Sequence, residues 1–392
     1  MRHWSEVREK LDLGRATEVT RVPAFLVLII LLTGLTQSCK HDPVTPIPDT
    51  THKHDSDTVS HPCDTCQQTV VDTTSHSFDW HESSISTESN LTGCCVVSPT
   101  SIYAVGLSLY HFDGSIWSEY PLKDSKGISY HGYMGGFTLF GFSDKDLWFT
   151  NGDVVSHFDG NAALDYQMES TGVWRLHSDG ALHTAWGMSS SDIFFVGDSG
   201  TVLHFDGTTW LKYPKVTTKN LRSVWGTSHN DVWASGFNSS TSETVLLHFD
   251  GVQWTEDALS KTKGINATGG FDAVWACDSG NGHHFVTTSG AILLRRIDQR
   301  AWRSDSGLIS NRLPDGTFVG ITPKGNAAND FFVVGGWGFV SHWNGHDWHQ
   351  YTDYFDYNDP AYGPAGISVN GNTACIVGLR HGRSWVLVGQ RK

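Results

Sequence analysis

Short apolar runs separated by polar turns follow one another along the chain from about residue 78 to its end. One representative unit has runs at Leu221–Gly226, Asp231–Gly236 and Val245–Phe249, and a fourth run begins near Trp254. Aromatic and β-branched residues fill these runs, which is typical of strands with a buried face. An Asp-Gly pair separates the last two runs and predicts a hairpin, because its Gly accepts a positive φ. Each unit therefore predicts four antiparallel strands.

This four-strand pattern recurs with a nearly constant period. The acidic or amide residue of the hairpin turn is found at Asp113, Asp159, Asp206, Asp250, Asp298 and Asn344. Successive positions are 44 to 48 residues apart, and a period in the forties with short strands is typical of a propeller blade. We therefore predict an all-β protein with a β-propeller fold.

The two ends of the repeat region complement each other. The last unit contains three strand-like runs, Gly366–Asn370, Thr373–Gly378 and Ser384–Gly389, but lacks a fourth. At the other end, Ser77–His81 reads as an isolated outer strand. Pairing the two removes free sheet edges and holds both termini. We predict seven blades, the last closed by this N-terminal outer strand; six or eight follow if a degenerate unit is miscounted.

Composition agrees with this fold and restricts the function. The 392 residues include 41 Gly and 16 Trp, and only 17% are charged, which disfavours a helical bundle. The net charge of −14 argues against a nucleic-acid partner, because such a surface needs a basic footprint.

The N-terminus has the features of an export signal. A mostly apolar run, Val22–Leu35, follows Arg15 and Arg21. Its 14 residues are fewer than the roughly 20 that a membrane-spanning helix needs, but they match the apolar region of a signal peptide. It leads into Leu-Thr-Gln-Ser-Cys, which resembles the lipobox of bacterial lipoproteins. The resemblance implies a signal peptide at residues 1–38 and lipidation of Cys39. An ordinary secretory signal or a short internal helix are the alternatives.

Residues 39–77 form a second region, rich in Pro, Thr, Asp, Ser and His. Such a segment buries too little apolar surface to offset its ordering entropy, so we predict a disordered tether before a propeller domain at 78–392. His61, Cys63 and Cys66 are weak candidate metal ligands. We favour a small disulfide or polar filler there, because structural zinc sites usually have a second paired cluster. No cofactor is expected.

The repeats resemble those of bacterial β-propellers of the BNR and photosystem-assembly-factor type, with their W-G…D-V-W-A-V-G…H-x-D-G-x-x-W pattern. The resemblance covers residues from about 78 to 392. It implies a fold rather than one function, since such propellers serve as scaffolds, glycan binders and glycosidases. The segment Asp206–Trp210 is similar to the Asp-box of sialidases but lacks part of that motif.

Few residues are available for catalysis. From residue 78 onward the chain has only six Glu, and most Asp belong to the repeat turns, where they cap local backbone. Neither a Ser-His-Asp context nor a Gly-rich phosphate loop is present. We expect a non-catalytic binding or scaffold module for a glycan or an envelope protein; the alternative is a secreted carbohydrate-active enzyme.

Propeller geometry places three irregular segments on one face: Lys126–Phe137, Tyr351–Tyr362 and Gly378–Arg383. Aromatic faces beside His and Arg suit sugar rings or a protein partner. The candidate ligand-binding residues are Tyr130, His131, Tyr133, Trp337, Tyr354, Tyr357, Arg380, His381 and Arg383. Long loops that pack their own rings over the channel mouth are the alternative.

Two cysteines fall at core positions of the repeat. Cys95 and Cys375 align with Trp225 and Trp233, so we predict that both are buried in strands. The first and last blades adjoin, so these two thiols are candidates for a disulfide if their Cα atoms lie within about 7 Å.

The expected location follows from the N-terminal resemblance. We expect a monomer at the cell outer membrane, attached only through its lipid and facing the periplasm or the exterior.

Overall fold

A computed structural model describes most of the chain after residue 72. The described residues are 73–85, 91–106, 108–120, 138–150, 152, 154–238, 240–241, 243–261, 271–277, 283–288, 291–296, 303–305, 321–335, 338–351 and 362–392. The predicted signal peptide lies outside them, as do Cys39, His61, Cys63 and Cys66.

Seven four-stranded antiparallel sheets make up most of the described structure. In six of them the four strands follow one another in chain order. These strands are β2 Gly93–Ser98, β3 Ser101–Val105, β4 Leu109–Phe112 and β5 Trp117–Tyr120; β6 Thr138–Ser143, β7 Asp146–Thr150, β8 Val154–Phe158 and β9 Ala163–Gln167; β10 Leu182–Ser189, β11 Asp192–Gly197, β12 Val202–Phe205 and β13 Trp210–Lys212; β14 Asn220–Ser228, β15 Asp231–Phe237, β16 Thr244–Phe249 and β17 Trp254–Glu256; β18 Phe271–Cys277, β19 His283–Thr288, β20 Ala291–Arg296 and β21 Arg303–Asp305; β22 Ile321–Ala327, β23 Asp330–Gly335, β24 Phe339–Trp343 and β25 Trp348–Gln350.

The seventh sheet joins the two ends of the described chain. It consists of β26 Tyr362–Asn370, β27 Thr373–Arg380 and β28 Arg383–Arg391, with β1 Phe78–Ser84 as its outer strand. β1 pairs with β28 in antiparallel register over its whole length. The predicted closure by an N-terminal outer strand is therefore confirmed, and it covers an edge of β28 that would otherwise be open to other chains.

The first strands of the seven sheets surround a common centre. Contacts lead from β2 to β6, β10, β14, β18, β22 and β26 in turn, and β26 contacts β2 again. A cyclic arrangement of four-stranded sheets around a channel defines a β-propeller. The predicted all-β propeller fold is confirmed.

The Asp-Gly turns close the outer hairpins as the sequence predicts. Gly207 and Gly251 have φ values of 91° and 90°. Asp206 Oδ1 accepts hydrogen bonds from the backbone N–H groups of Thr208 and Thr209, at 2.8 and 2.6 Å. Hydrogen bonds from the hydroxyl and backbone of Thr209, with those from Thr208, hold the pKa of Asp206 well below its usual range. The hydrogen bonds that shape this turn are therefore local.

The Trp residues that follow these turns differ in burial. Trp254 is 6% exposed, whereas Trp117, Trp210 and Trp348 are only half-buried. They lie at the start of the outer strands β5, β13 and β25, where each ring is partly exposed. The largest fully buried rings belong to other positions: Trp148, Trp174, Trp233, Trp275 and Trp385.

Cys95 and Cys375 are both fully buried, as predicted, but they do not form a disulfide with each other. Cys95 is disulfide-bonded, whereas the thiols of Cys94, Cys277 and Cys375 are not oxidised to disulfides. Adjacent residues of a strand point to opposite faces, and it is Cys94 that faces the last sheet, with its thiol 3.2 Å from the carbonyl oxygen of Cys375. The pairing considered from the sequence is therefore wrong.

Helical structure is limited to single turns in the described residues. The α-helix α1 is Leu176–Asp179, and the 3-10 turns are Met168–Thr171, Asp198–Gly200 and Ala258–Lys261. No helix within the described ranges is long and apolar enough to cross a membrane.

The last residues before β1 already contact the propeller. Thr74 donates a backbone hydrogen bond to the carbonyl oxygen of Asn344 at 3.2 Å, and the Tyr351 hydroxyl donates to the carbonyl oxygen of His76 at 2.8 Å. These contacts begin before residue 78, where the sequence places the domain boundary. The rest of the predicted tether lies outside the described residues.

Candidate binding site and the contacts between blades

Six of the nine predicted ligand-binding residues lie outside the described part of the chain. They are Tyr130, His131, Tyr133, Trp337, Tyr354 and Tyr357. Their clustering in one sector stays a prediction. Tyr351, at the start of one of the predicted segments, is 6% exposed and so belongs to the core rather than to an open surface.

The other three predicted residues, Arg380, His381 and Arg383, lie together at one hairpin. Here the structure corrects the sequence prediction of an irregular loop, because β27 continues to Arg380 and β28 begins at Arg383. The two turn residues, His381 and Gly382, have φ values of 50° and 74°, as a two-residue type I′ turn requires. His381 and Arg383 are exposed, and Arg380 lies 3.2 Å from Glu82 of β1.

A channel of about 180 Å³ runs between the first strands of the sheets. Every one of the seven first strands contributes to its lining, with residues near the start of the strand such as Gly93, Thr184, Ala273 and Gly366. The predicted segments Lys126–Phe137 and Tyr351–Tyr362 lead directly into β6 and β26 in the chain. Apart from Tyr351 and Tyr362, both segments lie outside the described residues.

Arg222 is one of two cationic residues in the channel lining. Its Nη1 lies 2.9 Å from His183 Nε2, and its Nη2 lies 4.0 Å from Asp198 Oδ1. Burial lowers the pKa of His183, and the charge of Arg222 lowers it further, whereas the hydrogen bond to the Asp198 carboxylate acts in the opposite direction. His183 is therefore neutral near pH 7, and the guanidinium carries the positive charge at this place.

Lys324 is the second cationic lining residue, on β22. Its Nζ lies 3.3 Å from the centre of the Trp225 ring, a cation–π contact. Trp225 is itself held by its indole N–H, which donates to the carbonyl oxygen of Ala276 at 2.8 Å. The ring therefore fixes the ammonium group in the channel wall. The described lining residues supply cations, hydroxyls and apolar groups rather than carboxylates.

A second recurring feature is a His–Asp pair in each of four sheets. The third strand supplies the His, whose Nε2 lies 2.7 to 2.9 Å from an Asp carboxylate at the start of the second strand. The pairs are His157–Asp146, His204–Asp192, His248–Asp231 and His342–Asp330. Each imidazole also packs on the aromatic residue two positions after the Asp, with ring centres 4.2 to 4.5 Å apart.

The next sheet adds a third residue to this pair. This residue lies in the turn between the first and second strands of that next sheet. In the third sheet it is Ser190, which donates to Asp146 of the second sheet; in the fourth it is His229, which lies 2.8 Å from Asp192 of the third. Burial alone would raise the pKa of Asp146, but hydrogen bonds from His157, Ser190 and Trp148 lower it. The ionised Asp thus joins two strands of one sheet to the following sheet.

Sequence reasoning found the Asp and His of this repeat but not their partnership. The available signal was the joint recurrence, in each unit, of Asp-x-Trp or Asp-x-Phe with the His that precedes the Asp-Gly or Asn-Gly turn, 11 to 17 residues after the Asp. The channel cations had no such signal, because Arg222 and Lys324 occupy different positions of different units and meet only when the ring closes.

The fold and the channel place the chain among β-propellers with a central, cation-bearing cavity. No family model matches the chain, and no curated protein matches it. Solved structures with a similar fold include YCF48 bound to D1 peptide, with a TM-score of 0.59 and 14% identity over 81% of this chain and 97% of that one. YCF48 from Cyanidioschyzon merolae has a TM-score of 0.57 and 13% identity over 79% and 98%. The RRP9 WD40 repeats have a TM-score of 0.59 and 10% identity over 80% and 98%. At these identities the similarity shows the fold alone.

Proposed function

We propose that this protein is a non-catalytic binding or scaffold module whose protein partner inserts a carboxylate, from a side chain or a chain terminus, into the channel. The observation that carries the proposal is the placement of Arg222 and Lys324 in the channel lining of a chain whose net charge is −14. Charged donors in a partly desolvated site bind an anion more strongly than surface cations do.

The size of the cavity supports a partner that inserts one group. About 180 Å³ is small beside the roughly 300–1,000 Å³ of a typical small-molecule site. The remainder of the partner would lie across the face where the first strands begin. That YCF48, a propeller of similar fold, has been solved with a peptide supports a peptide segment as the kind of ligand.

A glycan is the second candidate partner. It is favoured by the exposed His381 and Arg383, which belong to the sector where the sequence predicts Tyr354, Tyr357 and other aromatic residues. Sugar rings stack on aromatic faces, whereas the channel offers no wide aromatic platform among its described residues.

The two candidates are separated by one set of binding measurements. The probe is a set of fluorescent peptides that carry Asp, Glu or a free C-terminal carboxylate, with matched Gln, Asn and amide versions. We expect binding that requires the carboxylate, weakens with added salt, and falls by about tenfold or more in the Arg222→Ala/Lys324→Ala variant. Arg383→Ala is the control cation outside the channel.

Two results would decide against the peptide proposal. One is peptide binding that does not depend on the carboxylate or on the two channel cations. The other is binding only to polysaccharides, lost in Arg383→Ala but retained in the channel variant, which would favour the glycan sector.

We further propose that the propeller is displayed from the cell outer membrane by a lipid on Cys39. The resemblance of Leu35–Cys39 to a lipobox supports it, and the disulfide at Cys95 suits an oxidising compartment. Metabolic labelling with a fatty-acid probe, followed by membrane fractionation, tests it. We expect label and membrane association in the native chain and neither in Cys39→Ala; equal labelling of both would contradict the anchor.

A further inference from the structure

The junction between the third and fourth sheets differs from the other described junctions in its chemistry. At the junction between the second and third sheets, the turn residue of the third sheet that contacts Asp146 of the second is Ser190. The residue at the same repeat position one sheet later is His229, which reaches Asp192. The pair Asp192–His204 thereby gains a second imidazole, and three metal-binding side chains converge.

The three ligand atoms are already close together. His204 Nε2 and His229 Nδ1 lie 2.7 and 2.8 Å from the same Asp192 oxygen, and all three atoms lie within 4.8 Å of one another. Zinc bonds of roughly 2.0–2.2 Å to nitrogen and oxygen place neighbouring ligand atoms a little more than 3 Å apart. If each ligand atom moved away from its neighbour by about half an ångström, a metal ion would fit between them in place of the hydrogen bonds.

The carboxylate at this junction also has fewer competing donors. Asp146 and Asp231 each accept a hydrogen bond from an indole N–H, of Trp148 at 2.9 Å and Trp233 at 2.8 Å. At the third sheet the corresponding residue is Phe194, which has no N–H to donate. Among the described residues, the side chains that hydrogen-bond to Asp192 are the imidazoles of His204 and His229, and a neutral imidazole nitrogen can act as a metal ligand.

Burial and charge suit a metal with an open coordination position. One carboxylate and two imidazole nitrogens together supply a set of one anionic and two neutral ligand atoms. The side chains of Asp192 and His204 are 17% and 11% exposed, and that of His229 is 46% exposed. Two ligands are thus held by the fold, and the third faces solvent.

We propose that Asp192, His204 and His229 form a binding site for a divalent transition metal ion such as Zn²⁺, at the junction between the third and fourth sheets. Two imidazoles and one carboxylate are a ligand set that such ions accept, with the remaining position left to water. The bound ion would link two strands of the third sheet to a turn of the fourth sheet and stabilise the folded state by mass action.

The test is metal binding to the purified full-length chain, after chelator treatment, with Zn²⁺ and Co²⁺ as probes. The key variant is His229→Ser, which restores the residue found at the preceding junction and so preserves the local fold. We expect it to lose one metal equivalent, or to weaken that binding by at least about 100-fold, and to lose the rise in Tm that Zn²⁺ causes. His177→Ser, which removes an exposed imidazole elsewhere, serves as the matched control.

Metal bound by the N-terminal cysteines is distinguished by its spectrum. Thiolate ligands give Co²⁺ a sulfur charge-transfer band, whereas the proposed site gives only d–d absorption. The proposal is overturned if Zn²⁺ leaves Tm unchanged in the native chain. It is also overturned if His229→Ser binds as many equivalents as His177→Ser with the same affinity.

Discussion

At the scale of single residues, Asp330 connects the two ends of the propeller to the sixth sheet. Its carboxylate accepts hydrogen bonds from Thr74, before β1, and from Arg391, at the end of β28. Two side chains of the sixth sheet also hydrogen-bond to this carboxylate: Asn326 Nδ2 and His342 Nε2 each lie 2.8 Å from one of its oxygens. Burial alone would raise the pKa of Asp330, but the hydrogen bonds from His342 and Arg391 lower it from 3.8 to about 2.

This lowered pKa predicts how stability depends on pH. A carboxyl group with a depressed pKa stabilises the fold in full above its unfolded pKa, near 4, and loses that contribution as pH falls through about 2. The shift corresponds to roughly 2 kcal/mol. We expect Asp330→Asn to reduce the free energy of unfolding by at least that amount at pH 7, because Arg391 also loses its partner. Denaturant unfolding between pH 2 and pH 7 measures it.

The exposed Asp79 provides the control for this prediction. Its carboxylate is 57% exposed, and its nearest cation is Lys392 at 3.8 Å. We expect Asp79→Asn to change stability by less than about 0.5 kcal/mol at any pH. A pH-independent loss in Asp330→Asn would show that packing, and not ionisation, is the contribution of Asp330.

At the scale of elements, β1 determines whether the ring is closed. Phe78 and Trp80 bring its apolar face into the core formed with Phe332 and Tyr351 of the sixth sheet. Trp80 also lies against Gly389, where an added Cβ would come within 2.5 Å of the indole ring. β1 therefore contributes both backbone pairing to β28 and a buried ring to the junction with the neighbouring sheet.

We expect Trp80→Ala to lower the free energy of unfolding by about 3–5 kcal/mol, because it leaves a cavity at the seam of the ring. Urea or guanidinium unfolding measures the loss, and proteolysis should begin near β1. Ile116→Ala is the matched truncation on the surface, since Ile116 is 63% exposed, and it should be nearly neutral. Equal losses in both variants would mean that β1 is not the closing strand.

At the scale of the whole molecule, the ring creates properties that no single sheet has. The channel takes lining residues from all seven first strands, and its two cations come from the fourth and sixth sheets. The seam between the first and last sheets brings Cys94 beside Cys375, while Cys95 is oxidised.

This arrangement predicts the pattern of thiol reactivity. Without reductant, alkylation of the denatured chain should modify Cys94, Cys277 and Cys375 but leave Cys95 protected. In the native state the same three thiols should react slowly, because they are buried. Peptide mapping by mass spectrometry measures both. A Cys375→Ser variant should leave Cys95 protected; a cross-linked peptide that contains both Cys95 and Cys375 would contradict the structure.

The sequence was most informative where contacts are local. The representative unit was predicted with strands at Leu221–Gly226 and Asp231–Gly236, and the structure has Asn220–Ser228 and Asp231–Phe237. Hairpin turns depend on two or three neighbouring residues, so Asp-Gly identifies them directly. The His381-Gly382 turn was missed because His accepts a positive φ less often than Asn or Asp, so its sequence gives a weaker signal.

The sequence by itself determined the repeat period and the strand order, because both follow from hydrophobic alternation and turn chemistry within about 48 residues. It also indicated the closure by β1, because the last unit lacks a fourth strand and Ser77–His81 has the pattern of one. Only the tertiary structure decided which polar groups meet between sheets. Thr74 and Asp330 are 256 residues apart, and His229 and Asp192 are 37 residues apart in different sheets. Such contacts depend on the twist and packing of neighbouring sheets, and no local pattern encodes them. The channel cations, the disulfide at Cys95 and the proposed metal site all belong to this second group.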